Sequence, residues 1–260
     1  MKNFLSIAAA ATMMLAACDN TSVSFKSVIY DNAFALETGA RDSLTVKMDI
    51  EYPDPLDNES AMKIADAISG TLFGSGYAGM EPSEAAKAWA DSLASDYRES
   101  NLELLDMLEK DGDQGPFMGM SWSTDKQGKV TGIFRNIINY KAVTYTYTGG
   151  AHGSTWEANM NFDSDSGKLL EQEDVFAEGF EKQVSKLLAE HLNDGRDAES
   201  AISLLTDDIE PNSNFIISQE GVTFTYNQYE IAAYAFGVID ILIPADEIKP
   251  YLRSGMNFYD

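Results

Sequence analysis

The chain has one cysteine, Cys18, in 260 residues. No intramolecular disulfide can form, and a chain of this size buries enough apolar surface to fold without cross-links. Histidine is almost as scarce, with only His152 and His191. A zinc centre built on His and Cys takes three or four ligands, which two distant histidines cannot supply without several carboxylates. A Ser/His/Asp hydrolase would have to use one of the same two, and no Gly-x-Ser-x-Gly elbow occurs. Basic residues are few: 18 Lys and Arg stand against 42 Asp and Glu, a net charge of −24. They are scattered, which argues against nucleic acid and against an anionic lipid face as partners. The acid excess either solvates the surface or hastens encounter with a basic partner. No run after the first 17 residues approaches the ~20 apolar residues of a membrane span. Internal repeats, low-complexity tracts and cofactor motifs do not occur, so no cofactor or metal is expected.

What is present begins with a leader. Lys2 precedes an apolar run, Phe4–Ala17, that is too short to span a bilayer and ends in Leu15-Ala16-Ala17-Cys18. Small residues followed directly by cysteine look like a bacterial lipoprotein signal. Cleavage after residue 17 leaves Cys18 as a lipidated first residue carrying acyl chains such as palmitate, and a balance of −25. Residues 18–24 then form a polar tether. The expected address is the cell envelope, periplasmic or outer-membrane, held to the membrane by lipid.

Phe25–Tyr30 and Ser43–Tyr52 read as strands; in the second, Leu44, Val46, Met48, Ile50 and Tyr52 alternate with polar residues up to Pro53 and Pro55. Two helices follow. The first carries a stripe of Met62, Ile64, Ala65 and Ile68 before Gly70. In the second, Ser83 is the expected N-cap, and Ala86, Trp89, Leu93, Tyr97, Leu104 and Leu108 recur at helical spacing until Gly112. Such stripes are core packing. Gly112–Pro116 is read as a loop, and Phe117–Ser123 with Val130–Asn136 predicts a hairpin turned around residues 125–128. Further on, a helix is expected over Glu173 to about Asn193 and a short one over Glu199–Leu205. A hairpin, Asn214–Ser218 with Val222–Tyr226, a last strand Val238–Ile243 and a closing helix from Pro244 to Leu252 complete the chain. Strands and helices arrive in blocks, which predicts an α+β fold with mixed or antiparallel sheets. Asp111–Gly115 and Asp163–Gly167 have the look of calcium loops without the closing glutamate, and are read as turns.

Between these blocks lies Ile138–Phe176, around which the rest is organised. Val143, Tyr145 and Tyr147 alternate with Thr144, Thr146 and Thr148, the period of a strand with one buried face. Gly149, Gly150 and Gly153 allow a sharp crossing about Ala151-His152, and Trp156, Ala158, Met160 and Phe162 resume the alternation. His152 either holds this crossing through its ring nitrogens or meets a ligand. Tyr226, Asn227, Tyr229, Glu230 and Tyr234 suit a binding rim, each tyrosine offering a ring and a hydroxyl, and suit equally a sheet edge tucked against the body.

The run Tyr147–Gly153, with Asn161-Phe162-Asp163 and Gly167-Lys168 after it, resembles the RsiV-like extracellular domain family, known from a lysozyme-responsive anti-sigma factor. The same domain type precedes the catalytic domain of the peptidoglycan deacetylase PdaC. A second block agrees: Phe224–Ala235, then Ile241–Pro244 and Lys249–Leu252, with Ala233 where the family favours proline. The resemblance implies an N-terminal α+β part (25–139), an RsiV-like C-terminal part (140–252) and a tail (253–260). It also implies a non-enzymatic module, since the deacetylase chemistry belongs to another domain. The implied partner is a lysozyme-type muramidase, the alternative peptidoglycan or another glycan stacked on Trp156 and Tyr229; an envelope hydrolase is the remaining reading. Gly149, Gly150, His152, Trp156, Tyr226, Asn227, Tyr229, Glu230 and Tyr234 are the candidate contacts, and Cys18 the lipidation site.

Overall fold

The structure, a computed structural model, describes residues 23–37, 42–111 and 120–259, with side chains left aside at 108–111. The leader, Cys18, most of the tether, the Leu108 side chain, residues 112–115 of the expected Asp111–Gly115 turn and residues 117–119 of the hairpin arm expected from Phe117 lie outside the described residues.

Strands β1 (Phe25–Ala35) and β2 (Ser43–Pro53) pair antiparallel. Leu44, Val46, Met48, Ile50 and Tyr52 all point into one core, as their spacing predicts. After β2 come α1 (Glu59–Phe73) and α2 (Pro82–Asp111), which form the crossover that lets β3 (Trp122–Phe134) run parallel beside β2. Asn58 caps α1, its Oδ1 accepting from the Ala61 amide at 2.8 Å. The expected cap at Ser83 is corrected: Pro82 is already helical, and the Glu81 carboxylate takes the amides of Ser83 and Glu84 at 3.0 and 3.1 Å. Ala86, Ala90, Ala94 and Tyr97 of α2 are buried, whereas Leu104 is exposed and Leu105 takes the inward place.

A further correction concerns residues 125–128. They form no turn but the middle of β3; the hairpin turns at Arg135-Asn136, Arg135 adopting φ 55°, and returns as β4 (Ile137–Tyr147). Thr124, Lys126 and Gly128 alternate inward on β3. Gly128 is there because the Tyr140 hydroxyl occupies its side-chain space: an added Cβ would sit 2.2 Å from that oxygen. Strand β5 (Ser154–Asp163) closes the sheet, whose order is β1-β2-β3-β4-β5.

The second half builds another core. The helix expected over 173–193 is two helices, α3 (Gln172–Val175) and α4 (Glu181–His191). Between them Phe176 is extended, bridging to Leu252 and packing its ring on Phe180 (4.6 Å), Phe215 and Phe224; Gly179 turns at φ 81°. The pull of that aromatic cluster overrides local helix preference. Residues 199–205 are likewise not helical: Asp197 caps a turn through Ser200, and Leu204 bridges to Ala232. Strands β6 (Phe215–Ile217), β7 (Gly221–Tyr226) and β8 (Ile239–Pro244) form an antiparallel sheet, followed by α5 (Ala245–Ile248) and a turn of 3₁₀ helix at Lys249–Tyr251. The fold is α+β.

The boundary expected at 139/140 falls inside β4, whose residues serve both cores: Ile138 and Tyr140 the first, Ile137 the second. The expected tail is packed rather than loose. Phe258 is buried in the second core, Arg135 Nε donates to its carbonyl at 2.7 Å, and Tyr259 stacks on Phe134. Among the described residues no helix is long and apolar enough to cross a membrane.

Candidate functional site

A strand at the margin of a sheet presents unpaired amides and carbonyls. On β5 and at Gly153 just before it, the odd-numbered residues turn these groups away from β4; side chains from the second half meet most of those up to residue 159, and the Leu170 backbone amide bonds the Asn161 carbonyl at 2.8 Å. The Gln228 side chain accepts from the Thr155 amide at 2.9 Å. Asn227 Oδ1 accepts from the Glu157 amide at 2.7 Å, and Asn214 Oδ1 from the Asn159 amide at 2.7 Å. Asn227 and Asn214 both donate back to the Glu157 carbonyl, at 3.0 and 2.9 Å. The Tyr234 hydroxyl donates to the Gly153 carbonyl at 2.8 Å. Beneath this row, buried Asn161 accepts from the Ile217 amide and from Asn139 Nδ2, both at 3.0 Å, and donates to the Phe215 carbonyl at 2.8 Å. The two halves are joined by side-chain amides along one strand edge.

These bonds fix the ground on which an exposed ring stack stands. At the β4–β5 crossing Gly149 and Gly150 adopt φ of 97° and 91°, a region other residues resist. His152 then lies flat on Tyr234, ring centroids 4.0 Å apart and tilted by 26°, with its Nδ1 3.1 Å from the Gly153 carbonyl. Tyr229 continues the stack at 5.6 Å and is 61% exposed. Tyr145 flanks it, its ring filling the space a Cβ on Gly153 would need. Tyr229 has φ 69°, strained for a residue with a side chain. A tight turn holds it there: the Glu230 amide bonds the Asn227 carbonyl, and Glu230 Oε2 accepts from the Asn227 amide at 2.9 Å.

The predicted site residues therefore divide. Gly149, Gly150, His152, Tyr229 and Tyr234 come together with exposed Tyr145, which spacing had assigned to a buried face. Asn227 and Glu230 are scaffolding for that group. Tyr226 is no rim residue: it is buried in the second core, its hydroxyl donates to the Glu210 carbonyl at 2.8 Å, and burial pushes its ionisation above the usual tyrosine range. Trp156, 41% exposed, pairs with Thr144, whose hydroxyl bonds Lys126 under the helices, so it faces the opposite side of the sheet from Tyr145 and Thr155. Ala233 reaches φ −62° and ψ 152°, the geometry proline would impose, without the ring.

Asn139, Asn159 and Asn214 carry no functional expectation from the sequence, and Asn161 and Gln228 enter it only as motif residues, not as site residues. A signal was there: Asn159 and Asn161 alternate with Ala158, Met160 and Phe162, and asparagine is poorly suited to strands unless its amide has partners. Asp163–Gly167 is a turn, as expected. Asp163 Oδ1 caps the Ser166 amide at 2.8 Å, and Gly167 packs on the Ser60 backbone so closely that a Cβ would lie 2.2 Å from its carbonyl oxygen. Among the described residues no three His, Cys, Asp or Glu side chains are grouped to hold a metal ion. A cleft of about 540 Å³ lies at the start of α1 among Asp54, Asp57, Asn58 and Asp165, away from the ring stack.

His191 sits at the end of α4 between two carboxylates, Nδ1 2.7 Å from Asp194 and Nε2 3.1 Å from Glu247. Burial, the largest single influence, pulls its pKa down, but the bonds and charges of Asp194 and Glu247 together raise it above the usual 6.5. A raised value stabilises the fold fully below 6.5, an advantage lost as pH climbs through the folded value. His191→Gln is expected to lose about 1 kcal/mol at mildly acidic pH, fading towards pH 8.5. Urea titrations at the two pH values read the difference, and an equal loss at both would refute it.

Residues 173–246, which hold α3 to the start of α5, match the family described as "Protein of unknown function (DUF3298)". Over nearly its whole length the chain has the fold of a DUF3298 member from Bacteroides fragilis NCTC 9343. The TM-score is 0.80 at 24% identity, with 96% of each chain covered. A second DUF3298 protein, from Pseudomonas aeruginosa PAO1, aligns with TM-score 0.63 at 17% identity, over 91% of this chain and 97% of that one. In sequence, the peptidoglycan-N-acetylmuramic acid deacetylase PdaC of Bacillus subtilis strain 168 is 24% identical over 177 residues, 63% of this chain. That match spans only 36% of the deacetylase, so the chain corresponds to about a third of it.

Proposed function

We propose that this chain is a non-enzymatic, lipid-anchored binding protein of the bacterial cell envelope, and that its partner is a basic muramidase of the lysozyme type. The observation that carries the reading is the exposed His152–Tyr234–Tyr229 stack on an immobilised strand edge. Rings held rigid before contact lose little entropy on binding and serve as anchors at protein interfaces. The net charge of −24 suits a basic partner. The RsiV-like motifs and the 24% identity to part of a peptidoglycan deacetylase support looking for the partner at the cell wall. Cys18 is the proposed anchor. The hydrogen bonds of the two imidazoles go to the Gly153 carbonyl and to the Asp194 and Glu247 carboxylates.

The test is titration of the chain from Asp19 onward against a chicken-type lysozyme at low and moderate salt. Saturable binding that weakens with salt and blocks muramidase activity is expected. Tyr229→Gly should weaken it roughly tenfold or more, about 1.4 kcal/mol or above. The same change relaxes the positive φ, so the variant should fold at least as stably as the parent. Absence of binding at low salt sinks the reading. A second reading rests on Trp156, exposed on the other face of the same tip: salt-insensitive binding of glycan fragments, lost in Trp156→Ala, would replace the protein partner.

A further inference from the structure

The two margins of the five-stranded sheet are treated differently. That of β5 is sealed by Gln228, Asn227, Asn214 and Tyr234. That of β1 is open. The Asp54 amide bonds the Ser24 carbonyl and the Leu36 amide the Asp42 carbonyl, both in the β1–β2 register, so even-numbered residues of β1 bond β2 and odd-numbered ones face outward. Ala33 turns its amide to Asn32 Oδ1, and Ala35 gives its carbonyl to Arg98 Nε. Among the described residues, the outward backbone groups of Ser27, Ile29 and Asp31 have no partner. This is an 11-residue strand without proline or bulge, with Ile29 43% exposed at its centre. Such an edge pairs with another strand unless blocked.

We propose that the occupant is a second copy of this chain, paired antiparallel through β1 about a twofold axis at Ile29. Two features favour a copy over an unlike partner. The whole chain carries 18 basic against 42 acidic residues, yet this margin is balanced, with Lys26, Lys47 and Lys129 beside Asp31, Asp49 and Glu51. Two strongly acidic molecules meet there with least repulsion. The register is also self-complementary. Outward groups meet only when odd residues oppose odd residues, and a centre at Ile29 places Asp31 of one copy opposite Ser27 of the other. Ser27 Oγ is already 3.2 Å from the Lys129 ammonium, so each Asp31 gains a cation, twice by symmetry. A centre at Asp31 would instead oppose two carboxylates. The result is a continuous ten-stranded sheet.

Sedimentation velocity of the chain from Asp19 onward, across a hundredfold concentration range, tests this. A monomer–dimer equilibrium is expected. Ile29→Pro removes one outward amide and leaves the β1–β2 bonds intact, as proline on an edge strand can. Ile29→Lys sets two like charges at the axis without touching the backbone. Each should raise the dimer dissociation constant about tenfold or more. Should the proline variant unfold, the lysine variant still reads the interface. A chain that stays monomeric throughout, or a dimer that survives Ile29→Lys unchanged, overturns the proposal.

Discussion

Replacing Asn161 with leucine is expected to cost about 3–5 kcal/mol. The change removes two acceptor bonds and one donor bond at once, leaving the Ile217 amide and the Phe215 carbonyl buried without partners and Asn139 half satisfied. Each orphaned group costs roughly 1–3 kcal/mol, and leucine returns only part through apolar burial. For a domain of this size the melting temperature should fall by roughly 10 °C. Because Asn161 ties β6 to the sheet of β4 and β5, hydrogen exchange should quicken first at Ile217 and its β7 partners rather than in α1 or α2. A loss under about 1 kcal/mol would mean that water replaces the side chain and that the joint is not dry.

The second large effect comes from Lys126. It is only 6% exposed, yet the described residues place no carboxylate against its ammonium. Instead Nζ donates to the Leu72 carbonyl at the end of α1 (2.7 Å) and to Thr144 Oγ1 (3.3 Å), and lies 4.4 Å from the centre of the Trp89 ring. Helix-end carbonyls and an aromatic face attract a cation, but burial outweighs them and lowers the pKa from 10.5 to about 8. Between those values the unfolded chain binds more protons than the folded one, so stability rises with pH. From pH 7 to 9.5 the gain is about 2 kcal/mol, half or more of the full shift. Lys126→Met lacks it. The stability difference between parent and variant should therefore move by that amount in the parent's favour over the interval, and a pH-independent difference would show that the amine is solvated. Tyrosines of the unfolded chain begin to ionise near the top of the interval, but that contribution is common to parent and variant and cancels in the difference.

The joint and the ring stack divide the work in one region. The side-chain amides are buried or half-buried and cannot themselves meet a partner, while the His152 and Tyr229 rings are exposed and contribute less to folding. Asn161→Leu should damage folding and binding together, and Tyr229→Gly binding alone.

Much of the architecture was legible along the chain. Alternation in β2, the glycine-rich crossing from β4 to β5, the β6–β7 hairpin and the α+β order all follow from local pattern, because side-chain period and turn chemistry act within a few residues. The candidate stack was half legible: glycines, His152, Tyr229 and Tyr234 stood out by type, but a sequence cannot say which tyrosine is wet. Tyr226 and Tyr229 are three residues apart, one in the core and the other in solvent. Lys126 and Gly128 looked like turn residues because the aromatic rings and helix end that receive them come from α1, α2 and β4. The break at Phe176 has the same origin, since its partners lie some forty to eighty residues on. By itself, then, the sequence determined most of the strands and helices and which residue types a partner could meet, but not where distant packing extends a strand or breaks a helix. Only the tertiary structure decided that one edge of the sheet is closed by asparagines and the other left open, because an edge bond depends on which distant side chain arrives there.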